Sequence, residues 1–320
     1  MEFHTQALNF ALELPFVREW PDVQDLLKRA APPNAAVWKM PALACEAVGG
    51  TLDRVIPVSA ALACLQLNII LIDDLLDDDP RGEYHRIGAP TTANIASALQ
   101  AAGLEAIVHS EADRAIKLAA LDSLNRMMLT TAFGQHFDAH NPTDEEAYWR
   151  VVQTKSSPFF AAALQVGALF AGAAAQTAEG LRQIGHLYGE MIQIHDDLDD
   201  AMAIPANPDW LQGRSSLPIL FARLVDHPDR PRFLELCQLV SGTQALAEAQ
   251  MILIRCGAIS YCMDQLIRRH KQAEELLGSI ALAHTAGVAD LLETQIKPVR
   301  EFFRAGGVLQ NNGGEESMTT

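Results

Sequence analysis

The chain has 320 residues, 49% hydrophobic and 20% charged, which is enough apolar material for one large core or two smaller ones. Lysine and arginine number 24 against 40 acidic residues, and the resulting formal charge of −16 disfavours nucleic acid and anionic membrane as partners. Five cysteines without a CxxC pair indicate neither a disulfide framework nor a zinc site, and reduced thiols point to a cytoplasmic protein.

In chain order, MEFHTQALNF lacks a basic region followed by a long apolar run, so no secretory leader is expected. No later segment offers ~20 uninterrupted apolar residues, so no membrane span is expected either. Apolar residues then recur at three- and four-residue spacing through Ala- and Leu-rich stretches, and strand patterning is nearly absent. This predicts an all-α protein of about ten helices. Breaks fall at Pro32-Pro33, through 79–90, at Asn141-Pro142 and through 203–213. Thr143, followed by Asp144, Glu145 and Glu146, reads as a helix start with acids at the positive end of the dipole. No repeat of the 20- to 50-residue kind is present, which argues against a solenoid. Residues 1–305 read as a single domain, and the polar, Gly-rich stretch 306–320 as a disordered tail.

Two acidic clusters stand out. In NIILIDDLLDDDP, Asp73, Asp74 and Asp77 form a DDxxD arrangement at the end of an apolar helix, with Asp73 and Asp77 on one face and Asp74 about 100° away. Asp196, Asp197 and Asp200 repeat that spacing 123 positions later, again after an apolar run. One such cluster alone reads as a solvated helix end. Two of them on facing helices can surround one metal-bound diphosphate. Crowded carboxylates repel and resist desolvation, and a divalent cation relieves both costs. Mg²⁺ suits hard oxygen donors and is commonly completed by substrate phosphate oxygens. Metals on a diphosphate improve it as a leaving group, so the chemistry indicated is ionisation of an allylic C–O bond.

These residues resemble the trans-polyprenyl diphosphate synthases, a family of geranyl, farnesyl and geranylgeranyl diphosphate synthases, over roughly 35 to 300. Further stretches agree: ACEAVGG at 44–50, Gly88-Ala89-Pro90-Thr91, Gly134-Gln135 with Asp138, QTKSSPFF with Lys155, Gln193, and DWLQGRSSLP at 209–218. The resemblance implies an isoprenoid synthase fold with a central pocket, a homodimer, and a site for about three Mg²⁺ ions. It implies Asp73, Asp74, Asp77, Asp196 and Asp200 as metal ligands, with Asp197 behind them. Lys155, Arg214 and Arg86 would contact the allylic prenyl diphosphate, and Gln193 either the substrate, in a catalytic role, or another polar group inside the bundle. Arg214 stands where the family has lysine, keeping the charge but changing the donor geometry. His195, His85 and His136 are left outside the metal set.

The chain departs from that family at one ligand. The basic segment that binds isopentenyl diphosphate is AAVWKMP here, with Val37, Trp38 and Met40 in place of cations and only Lys39 basic. Gln66 takes the place of a histidine, Ile87 that of a second arginine, and Pro208 that of a lysine. Losing these charge-assisted contacts forfeits ~1.5 to 3 kcal/mol each. The cation is therefore expected to cyclise, lose a proton, take up water or alkylate a non-diphosphate acceptor. Trp38 reads first as a packed structural tryptophan and second as a lining of the cation's pocket, and Arg81 is a candidate replacement for a missing arginine. Asn68 and Ile69 mark the expected pocket floor, where no aromatic plug stands, which favours a C15 or C20 substrate; Asn68 reads equally as a buried, hydrogen-bonded core amide. The alternatives are a chain-elongating prenyltransferase and a non-catalytic regulatory subunit. Retention of both aspartate clusters speaks against the latter.

Overall fold

The structure is a computed structural model that describes residues 2–30 and 37–305. Pro32-Pro33 and the expected tail at 306–320 lie outside the described residues. The helices are α1 (Phe3–Leu12), α2 (Pro21–Ala30), α3 (Met40–Ala47), α4 (Ile56–Asp77), α5 (Tyr84–Ile87), α6 (Ala89–Val108), α7 (Arg114–Asp138) and α8 (Glu145–Val151). They continue as α9 (Ser157–Ala171), α10 (Ala175–Met202), α11 (Pro208–Gln212), α12 (Leu217–Leu224), α13 (Arg230–Leu236), α14 (Thr243–Arg255), α15 (Ala258–Ser279) and α16 (Ala286–Ala305). A five-residue π-helix, Val152–Ser156, joins α8 to α9. No strand occurs among the described residues. The sixteen helices among the described residues exceed the ten expected because α5, α8, α11 and α13 run only four to seven residues. Elements so short show no readable period. The start of α8 is also one residue later than expected: Asp144, in extended backbone, caps it by accepting from the Ala147 N–H at 2.8 Å.

Helix α9 is the axis of the bundle. Its Ala161 to Ala163, Leu164, Val166, Ala168 and Phe170 are buried around the circumference, the pattern of a helix enclosed by others. It packs on α10, α3 and α7, while α4 lies against α6, and α10 also against α15. Helix α4 starts with Pro57 in its first turn, buries Leu62 and Leu65 completely, and stops at Asp78, whose φ of 52° is left-handed. Each of those leucines contributes roughly 1.5 to 3 kcal/mol of burial. The stretch Leu52–Asp77 is by length and composition apolar enough to cross a membrane, but 72% of its apolar window is buried inside the bundle.

A second, smaller core forms around Trp210, Phe233, Leu236 and Leu253. It grips the end of α10: Trp210 Nε1 donates to the Ala201 carbonyl at 3.0 Å, and Gln250 Nε2 donates to the same oxygen at 3.2 Å. The C-terminal turns of α10, which carry the second acidic cluster, are therefore anchored from outside the main bundle.

Candidate active site

The last turns of α4, α7 and α10, the π-helix and the loop after α11 enclose a cleft of ≈ 690 Å³. Nine aspartates line it against three basic side chains, Arg81, Lys155 and Arg214, a formal excess of six negative charges. Asp73, Asp77, Asp196 and Asp200 are all on its wall. Asp74 is not, because it lies a further turn of angle around α4 beside the Gly82 backbone.

The cations are already engaged. The Lys155 ammonium lies 2.6 Å from Asp138 Oδ2, 2.9 Å from Asp73 Oδ1 and 4.0 Å from Asp77 Oδ2. Arg214 makes a bidentate pair with Asp77, at 2.6 and 2.9 Å. Arg81 forks onto Asp79 at 2.7 and 3.1 Å. Asp200 is held by Asn207, whose Nδ2 donates at 2.6 Å.

Lys155 reaches this position because Gly134 lets α7 approach the π-helix. A Cβ on Gly134 would stand 2.3 Å from the Lys155 backbone nitrogen. One turn later α7 presents Asp138 to the lysine ammonium. A π-helix often marks a functional position, and here it is the segment that turns Lys155 and Ser156 into the cleft.

The titration behaviour follows from crowding. Burial, followed by the charge of neighbouring aspartates, pushes Asp74 and Asp196 up to about 6. Burial also raises Asp73, although Lys155 opposes it, and raises Asp200 against the pull of Arg81. Burial pulls the Lys155 ammonium down, but Asp73 and Asp138 together outweigh it and leave the group raised. A hydrogen bond to Asp77 raises Arg214 further. Asp197, 5% exposed, is pushed up to about 7 by burial despite the three donors it receives.

The aspartates fit a divalent cation. Their donors are hard oxygens on two facing helices, and Asp73 Oδ1 is buried without a hydrogen-bond partner although an ammonium stands 2.9 Å away. Among the described residues no three such ligands close on a point by themselves. The set therefore fits an ion shared with substrate oxygens better than a protein cage.

Several expectations need correction. Arg86 does not reach the cleft: the short helix α5 turns it outward onto Glu83, at 2.5 Å, and towards Asp25, at 3.8 Å. Arg81 occupies the wall instead. Trp38 does not line the cleft; it is 1% exposed and donates from Nε1 to Gln66 Oε1 at 2.9 Å. Asn68, one of the two expected floor residues, donates to the Ala96 carbonyl at 2.8 Å, tying α4 to α6, and it also lines a hollow beside the cleft together with Ile69. Ile69 lines both the cleft and an adjoining hollow of ≈ 290 Å³ between α4, α6 and α7. His195 is taken up by the Gln295 carbonyl at 2.7 Å. Tyr148 lines the cleft without having been picked out in the sequence, while Ser156 and Asp209, for which no role of their own is expected, line it as members of the stretches QTKSSPFF and DWLQGRSSLP. Nothing in the spacing marks Tyr148.

The description "Polyprenyl synthetase" belongs to the family model that matches residues 39–253. The chain belongs to the polyprenyl synthetase family. That family is one of Mg²⁺-dependent prenyltransferases, which places the chain in isoprenoid biosynthesis as an enzyme. The chain is 25% identical to geranylgeranyl diphosphate synthase of Methanosarcina mazei over 253 residues, covering 73% of this chain and 76% of that one. The structure of geranylgeranyl pyrophosphate synthetase from Pyrococcus horikoshii superposes with a TM-score of 0.81 at 20% identity, covering 92% and 95% of the two chains. Polyprenyl synthase from Caulobacter crescentus, complexed with calcium and isoprenyl diphosphate, matches with a TM-score of 0.77 at 20% identity, covering 92% and 93%. The all-α fold of these synthases is thus shared by the whole bundle.

Proposed function

We propose that this polyprenyl synthetase ionises one allylic prenyl diphosphate, C15 or C20, with Mg²⁺, and that the cation is cyclised, quenched or passed to an acceptor that is not a diphosphate. The charge inventory of the cleft carries this reading. Among the described residues only Arg81, Lys155 and Arg214 line it as cations, and each is paired with an aspartate. At Gln66, where the family resemblance puts a histidine, the cleft meets a neutral amide bonded to a buried tryptophan. A second diphosphate would find no further cation in such an acidic wall.

Asp73, Asp77, Asp196 and Asp200 would hold the metal, with Asp74 behind them on α4. Bound Mg²⁺ supplies charge neutralisation to the departing diphosphate. Lys155 and Arg214 bind and orient the diphosphate oxygens, since their present partners are carboxylates of the same metal set. The apolar wall of Ile69, Phe159, Phe160 and Ile192 keeps water from the cation. Beyond Ile69 the hollow between α4, α6 and α7 offers room for the tail, without an aromatic plug. Leu118, Leu129 and Phe133 of α7 are each more than half exposed and support pairing into a homodimer.

Chain elongation is the second reading, favoured by Arg81 at the cleft and by the geranylgeranyl diphosphate synthase relative. Incubation with Mg²⁺ and farnesyl or geranylgeranyl diphosphate, with and without isopentenyl diphosphate, separates the two by mass spectrometry of products. Diphosphate release independent of isopentenyl diphosphate supports the one-substrate reading. Chain-lengthened diphosphates as the main product overturn it.

A further inference from the structure

Gln193 and Asp197 stand one turn apart on α10, and both line the cleft. Asp197 is enclosed by donors. Its Oδ2 accepts from the Tyr148 hydroxyl at 2.7 Å and from the Leu217 backbone N–H at 2.6 Å. Its Oδ1 accepts from Gln193 Nε2 at 2.9 Å. In its ionised form Asp197 only accepts, so the amide beside it turns its NH₂ to Asp197 and its carbonyl away. That carbonyl, Oε1, accepts from Ser156 Oγ at 2.7 Å. Ser156 follows Lys155 on the π-helix and precedes the apolar wall of Phe159 and Phe160.

We infer that Asp197 is a positioning residue, which fixes the Gln193 amide with its carbonyl oxygen towards Ser156 and the apolar end of the cleft, so that the negative end of a dipole faces the developing cation. The inference rests on the reading that an allylic diphosphate ionises in this cleft. Asp197 is thereby set apart from Asp196 and Asp200, although all three share one acidic cluster. Its oxygens are engaged by three elements, α8, α10 and α12, with two donors on Oδ2 and one on Oδ1. A dipole held in place before the reaction stabilises charge without reorganising, and its reversal places two N–H groups where positive charge forms.

The test reverses the dipole and then restores it. Asp197→Asn keeps the size of the side chain. Its carbonyl still accepts from Tyr148 and Leu217, and its NH₂ now faces Gln193, whose amide must turn over. The expected result is kcat lower by about 10- to 100-fold. KM for farnesyl diphosphate and the Mg²⁺ concentration for half-maximal rate should stay within about twofold. Gln193→Glu alone sets two carboxylates against each other, and in metal-free protein its Tm is expected to fall by roughly 4 °C or more.

Combining the two changes lets the new amide at position 197 donate to one glutamate oxygen while the other accepts from Ser156, with net charge unchanged. The double variant is expected to recover most of both losses, in kcat and in the metal-free Tm. Unchanged kcat in Asp197→Asn overturns the inference. So does a double variant no better than Asp197→Asn or Gln193→Glu, or a tenfold rise in the Mg²⁺ requirement, which would make Asp197 a metal ligand. Absence of diphosphate release by the unaltered enzyme with Mg²⁺ refutes the ionisation reading itself, and is distinguishable from all of these.

Discussion

Gly134→Ala is the most searching single substitution because its effect is set by backbone geometry alone. A Cβ at this position would lie 2.3 Å from Lys155 N, 2.4 Å from Thr154 C and 2.6 Å from Lys155 Cα, where ordinary contact begins near 3.4 Å. No flexible side chain stands in the way to be moved aside. Either α7 or the π-helix must shift by about 1 Å, and overpacking of this kind destabilises by roughly 1 to 3 kcal/mol. For a chain of this size that corresponds to a fall in Tm of roughly 1.5 to 5 °C, read by circular dichroism. The shift also separates Lys155 from Asp138, now 2.6 Å apart, and misplacement by ~1 Å can lower kcat/KM by about 100-fold. A diphosphate-release assay at saturating Mg²⁺ measures that loss. Wild-type Tm together with wild-type kcat/KM would refute the view that α7 sets the position of the lysine.

Asp73→Ala or Asp196→Ala is expected to abolish Mg²⁺-dependent diphosphate release, as is removal of the metal with a chelator; full activity in either variant would contradict the metal assignment. Arg81→Ala should raise KM for the allylic substrate by roughly tenfold, the worth of one charge-assisted contact, whereas Arg86→Ala should leave it within about twofold; steady-state kinetics decide between them. Ile69→Phe narrows the passage into the hollow, so the ratio of kcat/KM for geranyl over geranylgeranyl diphosphate should rise, and an unchanged ratio would move the pocket floor elsewhere. Burial holds the His186 imidazole below its ordinary value despite Glu190. The unfolded chain then takes up that proton first as pH falls through about 6.5, so stability is lost on acidification. In His186→Gln the drop in Tm between pH 7.5 and 5.5 should be smaller.

The sequence showed what depends on local pattern. Apolar periodicity made α4, α7 and α10 readable, and the DDxxD spacing placed Asp73, Asp77, Asp196 and Asp200 on the cleft before any coordinates. What it hid depends on long-range geometry. Asp138 and Lys155 are 17 positions apart, and only the close approach at Gly134 makes them partners. Tyr148 meets Asp197 across 49 positions, through a helix too short to announce itself. Arg86 misses its expected place because the direction of a loop is not written in residue spacing: α5 turns it outward to Glu83, while Arg81, the candidate replacement, lines the cleft. Trp38 takes the packed structural place that is its stronger reading, with its indole bonded to Gln66 inside the bundle.

The Trp38–Gln66 pair also bears on how easily such a chain changes trade. Position 38 is 1% exposed and its only polar group is satisfied by Gln66. An arginine introduced there would bury a charge with one neutral partner, at a penalty of several kcal/mol. Histidine at position 66 alone would strand the indole N–H once its ring is protonated, since the charged imidazole has no acceptor. Placing a cation at either position is therefore uphill unless its neighbour changes with it, so exchanging this neutral pair for charged groups calls for both substitutions together.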